Sequence, residues 1–566
     1  MPTGQGPRVL ILDGYVDEPA NFGVPPYISP HARYLAGAAL DATDGQAELR
    51  YRTADQWRND PRDVAECILW GDFLVVISGA LVPGVYLRGR PLSFREAQQT
   101  VEAFRGPALL AGSAAMYGFG QGGGKPAVGR DRLARMFKFL GKRHPDKLLH
   151  DVLAGEDPDP LKRRTMDEWH RWSVLGSGVT QLHPDHPNPL IAELDTYYGC
   201  VRYVNSGCSF CIEPKEGKPE YRPIQHVVDE VRALAEAGVV NFRLGGQACF
   251  YSYQARGLGE TPTPKPDPQA IEQLLRGIHD ACPGLRTLHL DNADPAVMAA
   301  HERRAREVTR LIARYMTPGN IAALGMETAD PRVVEENNLN AMPEEVWLAM
   351  EILNEEGGHR GWNGVPCILP GLNFLAGLWG EREETWQLNR AFLERLSASD
   401  LLVRRINIRQ ILSTTQDFGT DGHKFHRFKQ WCRQEVDVPM LHKVFPEGTI
   451  LRDVYLEKHD GNVTFGRQLG TYPILVGLPY KTGLDRFVDV RITDHGKRSV
   501  TGIEAPLSLN RASLKALSSL PGVGDKRAMR LHRARPYTEH QAVLDALDDQ
   551  DVARNLMPMV RLGEPE

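Results

Sequence analysis

At 566 residues the chain is too long for one ordinary domain and has room for three or four, each able to bury its own core. Apolar residues at 42% and charged residues at 25% exclude a disordered chain, and a formal net charge of -5 excludes a nucleic-acid signal spread over the whole surface. Any basic surface must therefore be local. The N-terminal MPTGQGPRVLILDG enters a strand-like run with no secretory pattern, and FLVVISGALVPGVYL at 73–87 is too short and too broken by Gly and Pro to span a bilayer. Eight cysteines without framework spacing argue for a reducing compartment, here the cytoplasm, with no membrane association.

In chain order, residues 1–145 alternate strand patterns (RVLILDGY, FLVVISGA, PALLAGSAA) with amphipathic helical ones (HARYLAGAAL, REAQQTVEAF). That alternation predicts an α/β, doubly wound parallel sheet. The glycine string YGFGQGGGKP at 117–126 lacks the spacing of a phosphate loop and reads as a flexible loop. Residues 146–190, rich in Asp, His and Pro, read as a linker with a helical insert. Residues 191–455 repeat strand and helix more regularly, with strands expected at IAELDTYY, NFRLGGQ, RTLHLDN, IAALGMET, LNFLAGLW and RRINIRQI. Six such units suit a partial (β/α)6 barrel, whose site lies at the C-terminal ends of its strands. Short alternating segments at 456–505 predict a small β-barrel. In the remaining 506–566, two helical stretches are joined by PGVG.

Three of the eight cysteines, Cys200, Cys208 and Cys211, crowd into GCVRYVNSGCSFC directly after the first barrel strand. Three thiolates suit an iron-sulfur cluster with one open iron; structural zinc prefers four ligands, the fourth then being His226 or a distant cysteine. Simple burial is the third reading. Cys249 reads as either an auxiliary ligand facing the pocket or a small buried hydrophobe, and Tyr251 and Tyr253 after it as residues lining a substrate mouth.

This loop and its barrel resemble the radical S-adenosylmethionine (SAM) superfamily, on residues spread over roughly 190–455. Phe210 precedes the last cysteine; Gly245-Gly246-Gln247 stands where the family has a Gly-Gly-Glu type motif; ALGMETADPRVVEENN at 323–338 carries Glu327 at a strand end; NFLAGLWGE at 373–381 begins with Asn373; and FPEGTIL at 445–451 is similar to a segment that follows the family's barrel. The resemblance implies a [4Fe-4S] cluster on the three cysteines and SAM on its open iron, cleaved on one-electron reduction to methionine and a 5'-deoxyadenosyl radical. It also implies cofactor contacts from Phe210, Gly245, Gly246, Gln247, Glu327, Asn373 and Arg409, and an electron donor such as ferredoxin or flavodoxin. The family's C-x3-C-x2-C is departed from: seven residues separate Cys200 from Cys208. The longer gap is similar to that of a subgroup ending in a helix-hairpin-helix. Gln247 replaces a carboxylate and loses its charge assistance.

Residues 463–504 resemble the TRAM barrel, an RNA-binding module, on Phe465-Gly466-Arg467 and VDVRITDHGKRSVTG. LSSLPGVGDKRAMRLH looks like a helix-hairpin-helix, whose Gly522 and Gly524 would let backbone amides meet a phosphate, with Lys526, Arg527 and Arg530 beside them. Between 509 and 535 seven Arg or Lys stand against one acidic residue, Asp525, a charge excess suited to phosphates. The N-terminal domain occupies the place of a cobalamin-binding domain but lacks the Asp-x-His-x-x-Gly sequence for the lower ligand, and only Cys67 precedes Cys200, which argues against the second cluster of methylthiotransferases. Three functions stand: a radical SAM enzyme modifying RNA of the transfer-RNA type, the same enzyme acting on a protein or small metabolite, and a non-enzymatic nucleic-acid-binding zinc protein.

Overall fold

In β1 (Arg8–Asp13), Val9 and Ile11 point to one side of the sheet while Leu10 and Leu12 point to the other, and all four are fully buried. A strand apolar on both faces belongs in the middle of a parallel sheet covered on both sides. The computed structural model, which describes residues 6–18, 21–81, 84, 86–121, 125–411, 419 and 421–563, places it there. After β2 (Tyr27–Ile28) and helix α1 (Pro30–Asp41) come β3 (Glu48–Thr53), β4 (Phe73–Ile77), β5 (Ala108–Ala111) and β6 (Phe139–Leu140). The N-terminal sheet runs β6-β5-β4-β1-β3, all parallel. In order of occurrence this is 2-1-3-4-5, with the switch point between β1 and β4. The glycine string at 117–126 supplies the arms of a hairpin, Phe119–Gln121 against Lys125–Val128; its turn lies outside the described residues.

The expected linker is not one. Helices Pro145–Ala154 and Met166–Leu175 and the 3-10 segment Gly176–Leu182 pack on α1, burying Trp169 and Trp172. A Cβ at Gly37 would lie 2.0 Å from the Trp172 carbonyl oxygen, so α1 and its neighbour touch backbone to side. Composition alone suggested a linker, but two tryptophans on one helical turn need a core to enter.

The barrel strands are β7 (Ile191–Asp195), β8 (Asn241–Gly245), β9 (Thr287–Leu290), β10 (Asn320–Glu327), β11 (Ile368–Ala376) and β12 (Arg405–Gln410). They form the sheets β9-β8-β7-β2 and β10-β11-β12, joined by the bridge Ala293–Leu324. Six parallel strands thus make an open barrel, and β2 adds a short strand to its first edge. Five antiparallel and parallel strands close the small barrel: β13 (Ile450–Asp460), β14 (Val463–Gln468), β15 (Leu475–Leu478), β16 (Arg486–His495) and β17 (Ser499–Glu504). It begins at Ile450, earlier than the expected 456, because Leu451, Val454 and Leu456 already alternate into its core. FPEGTIL, which follows the larger barrel, leads into this one. No helix among the described residues is long and apolar enough to cross a membrane.

Candidate active site

The loop after β7 is pinned at its base by Tyr197–Tyr198 pairing antiparallel with Glu220–Tyr221. The extra residues between Cys200 and Cys208 are taken up by a 3-10 turn, Val201–Asn205, and a reversal at Ser206 (φ 67°) and Gly207 (φ 62°). At Gly207 a Cβ would fall 2.2 Å from Pro214 Cγ, so glycine lets the loop fold back on itself. Cys211 N–H donates to the Cys208 carbonyl at 3.1 Å, closing a tight turn that presents both thiols.

Two residues that sequence reasoning left aside hold this loop. Asn338 Nδ2 donates to the carbonyls of Asn205 (2.8 Å) and Gly207 (2.7 Å), and its Oδ1 accepts from Arg202 Nη2 at 3.0 Å. Asn337 Oδ1 accepts from Ser209 Oγ at 2.9 Å, and its carbonyl accepts from the Ser209 N–H at 3.0 Å. The signal was the Asn-Asn doublet after the helix following β10, which is an unusual place for two amides unless they bridge something. Arg202 Nη1 in turn points at Cys208 Sγ, 3.1 Å away. Phe210 and Cys208 lean on the apolar group Val333, Val334, Leu339 and Leu378.

Burial pushes the Cys200 thiol up to about 11 and Cys208 to about 12, the latter against the pull of Arg202, and raises Cys211 further. Such thiols stay protonated until a cationic centre displaces the protons. Tyr221 Oη, buried and without a partner among the described residues, sits within the influence of Cys200. Thiolates sharing one tetrahedral zinc at about 2.3 Å would stand about 3.8 Å apart. Among the described residues, the groups of three or more His, Cys, Asp or Glu with ligand atoms all within 4.8 Å are His150–Asp151–Glu156 and Glu447–Asp494–His495, and neither includes a cysteine. The sulfurs of Cys200, Cys208 and Cys211 therefore do not all lie within 4.8 Å of one another. His226 stacks on His170 at 4.0 Å.

Gly245 pairs with Asp195 in the sheet, and Gly246 follows in the left-handed region (φ 66°), where a Cβ would lie 2.1 Å from Asp195 Oδ1. Gln247 is turned away from the mouth: its Oε1 accepts from Thr196 Oγ1 at 2.9 Å and its Nε2 donates to the Leu244 carbonyl at 2.7 Å. Its side chain is thus occupied, and only the backbone of this segment is left to face a ligand. Glu327 sits at a bulge in β10, itself left-handed (φ 53°), and burial lifts its carboxyl to about 8 against the pull of Arg409. Asn373 is in register with Gly325 on one side and Asn407 on the other, the two amides 3.2 Å apart. Glu327, Asn373 and Arg409 therefore converge at the C-terminal ends of adjacent strands. Cys249 is a core residue, its Sγ accepting from the Asp294 N–H at 3.2 Å. Tyr251 and Tyr253 are fully buried, with hydroxyls bonded to Thr309 (2.8 Å) and to the Arg222 carbonyl (2.7 Å), so they line no mouth. The ring packing of both is complete inside the barrel wall.

The sequence pattern of the radical SAM superfamily matches residues 196–374, the stretch from the cysteine loop to β11. This chain belongs to that superfamily. The radical SAM chain is 40% identical over 514 residues to an uncharacterized protein of Methanocaldococcus jannaschii, covering 88% of this chain and 93% of that one. It is 39% identical over 541 residues to an uncharacterized protein of Archaeoglobus fulgidus, covering 92% and 95%. A more distant relative from Roseiflexus sp. (strain RS-1), 33% identical over 184 residues and 32% of each chain, is named tRNA-2-methylthio-N(6)-dimethylallyladenosine synthase. As a radical SAM enzyme the protein takes a [4Fe-4S] cluster and SAM.

Glu18 occupies the ends of β4 and β5, its Oε1 accepting from the Ala80 N–H at 2.7 Å and from Ser113 Oγ. A Cβ at Gly79 would meet that carboxylate at 2.7 Å, so glycine allows the close approach. Helices Leu514–Ser518 and Gly524–Arg533 pack together, Lys526 is exposed, and a Cβ at Gly524 would meet nothing within 4 Å. Gly522, however, hands its carbonyl to Arg527 Nη1 at 2.6 Å. Arg527 pairs with Asp548 (2.8 Å) and Asp549 (3.1 Å), and Arg530 pairs with Asp548 (2.9 Å).

Proposed function

We propose that Cys200, Cys208 and Cys211 hold the [4Fe-4S] cluster, and that the enzyme modifies RNA of the transfer-RNA type. The observation that carries the cluster assignment is the cross-braced loop: three half-buried thiols on one turn system, fastened through Asn337 and Asn338 to the segment that also positions Glu327. Held by these three cysteines, the cluster would supply the electron, taken from an external donor, for reductive cleavage of SAM. The chain's own part is placement. Arg202 offsets part of the negative charge that three thiolates bring into a buried site, which would otherwise resist ionisation. Backbone groups of Gly245 and Gly246 face the ligand's amino acid portion, because no side chain fits there. Glu327, largely protonated near neutrality, donates or accepts a hydrogen bond from a sugar hydroxyl without placing a full charge in the pocket. Asn373 and Arg409 complete the polar wall, and the closed strand-end layer excludes water from a reactive intermediate.

The substrate reading rests on the relative named as a transfer-RNA synthase, the closed small barrel and the open hairpin turn before Gly524–Arg533. We read 463–504 as TRAM-like and the hairpin as a phosphate site on those grounds. The eight cysteines are all free thiols, which supports a cytoplasmic setting, with a ferredoxin or flavodoxin as electron donor. The test is anaerobic reconstitution followed by dithionite and SAM, with iron analysis and mass spectrometry for 5'-deoxyadenosine. Wild type is expected to carry about four iron per chain and to form the product, while Cys208→Ala loses both. A fully loaded wild type that forms none overturns the assignment.

A further inference from the structure

The barrel is open along one side. β12 pairs with β11 on one edge and with no strand on the other among the described residues, whereas the opposite edge, β7, is extended by β2. Part of the gap is filled by rings: Phe22 packs on Tyr27 at 5.3 Å and edge-on to Tyr472 at 5.8 Å. The rest is lined by cations from three separate segments. Arg405 and Arg409 share one face of β12, about 13 Å apart at the rise of a strand. The Arg405 guanidinium lies over the Tyr472 ring at 4.0 Å, which fixes its direction. Lys429, in helix Gly422–Cys432, and Arg433, opening the π-helical turn Arg433–Asp437, are four residues apart on one helical face. Arg498 stands on the turn between β16 and β17. His495, at the base of that turn, stacks on His442 at 3.9 Å and bonds to the Phe445 carbonyl at 2.6 Å.

Among the described residues none of these five cations forms an ion pair with a carboxylate. Burial lowers the pKa of Arg409, Lys429 and Arg498, and like charges lower it further: Arg405 acts on Arg409, Arg433 and Arg405 on Arg498, and Arg433, Arg498 and Arg409 on Lys429. The acids in range are Asp437 on the same turn, and Asp17 and Glu327 beside Arg409. Five cations drawn from a strand, a helix with its π-helical turn, and a second domain outnumber these three carboxylates, leaving an excess of positive charge that an anion with several charges would offset. Four of the five are arginines, whose planar fork suits phosphate oxygens.

We propose that Arg405, Arg409, Lys429, Arg433 and Arg498 form a phosphate-binding edge that seats the phosphodiester backbone of the RNA beside the opening of the barrel. The edge rests on the RNA reading above and supplies the step that reading lacks, since the hairpin is remote in sequence and partly neutralised. Its extent along β12 matches an extended polyanion better than a single carboxylate. The test is binding of bulk transfer RNA to the reconstituted holoenzyme by fluorescence anisotropy at several salt concentrations. It compares wild type with the triple variant Lys429→Gln, Arg433→Gln, Arg498→Gln and with Arg498→Glu alone. The triple variant is expected to bind at least tenfold more weakly and to lose about two units of the slope of log affinity against log salt. Arg498→Glu, a change at an exposed turn, is expected to move affinity the same way by a smaller factor, and both variants keep wild-type iron content and RNA-independent 5'-deoxyadenosine formation. Equal affinity and slope in wild type and both variants overturn the edge and leave the RNA reading standing. If the loaded wild type binds no transfer RNA even at low salt, the RNA reading fails and the edge fails with it.

Discussion

Gly246 shows how one residue sets the shape of the turn after β8. Its left-handed backbone and the 2.1 Å approach of Asp195 Oδ1 leave no room for a side chain, and Asp195, fully buried, cannot retreat because its Oδ2 accepts from Tyr198 Oη at 2.7 Å. Gly246→Ala is expected to cost about 1–2 kcal/mol for the backbone conformation and a further amount of about 1–3 kcal/mol for the overlap. Chemical denaturation measures the loss, and an unchanged midpoint would mean that the turn relaxes freely. The same scale explains why Gln247 misled: its type and position matched a ligand contact, but its amide satisfies Thr196 and Leu244 inside the turn. Which way a polar side chain points depends on neighbours in other strands, and a single sequence does not contain that information.

At the scale of elements, the C-terminal hairpin illustrates how charge counted along a window differs from charge in space. The excess of Arg and Lys between 509 and 535 is genuine, yet helices His540–Ala546 and Gln550–Leu556 fold back and bring Asp548 and Asp549 onto Arg527 and Arg530. These pairs are exposed and contribute little to stability, so they can be removed with little risk to the fold. Asp548→Asn combined with Asp549→Asn is expected to tighten transfer-RNA binding severalfold and to steepen its salt dependence by about one to two units as two arginines are released. Unchanged binding in the anisotropy assay would show that this hairpin serves packing and carries no phosphate. Strand and helix placement, by contrast, was readable: PEEVWLAMEILNEEG forms Pro343–Gly357, and each expected barrel strand is present, because periodicity reports which face of a local element is buried.

The whole molecule is held together by polar contacts that cross its domains. Arg33 in α1 donates to the Glu193 carbonyl and pairs with Glu230 at 2.7 Å, and Glu230 pairs with Arg222 at 2.6 Å, all fully buried. Arg88 joins Asp185 (2.8 Å) to Glu457 of the small barrel (2.7 Å), and Tyr27 Oη donates to the Gly470 carbonyl at 2.7 Å. The N-terminal domain is thereby fastened to the barrel, and Glu18 binds Ala80 and Ser113 at the ends of β4 and β5. Desolvation lifts the Glu18 carboxyl from an ordinary value near 4.5 to about 7. Because the folded value is the higher one, the associated stability is complete below about pH 4.5 and is lost as pH rises through 7. Glu18→Gln removes that loss, so its thermal midpoint is expected to gain on wild type steadily between pH 5 and pH 7 and then hold the gain. A difference that stays flat across the range would show that the carboxyl titrates normally.

What the sequence by itself determined is the local chemistry: the cysteine triplet after a strand, the regular barrel units, the small barrel and the superfamily to which they point. These are legible because hydrophobic period, turn residues and ligand spacing act over a few positions. Only the tertiary structure decided that Asn337 and Asn338 clamp the cysteine loop, that Glu18 ties Ala80 to Ser113, and that the helices within 146–190 pack on α1. It alone gathered Arg405, Arg409, Lys429, Arg433 and Arg498 from three segments to one edge. Each of those outcomes depends on distance between residues far apart in the chain, and close packing, not sequence order, sets which charges and amides meet.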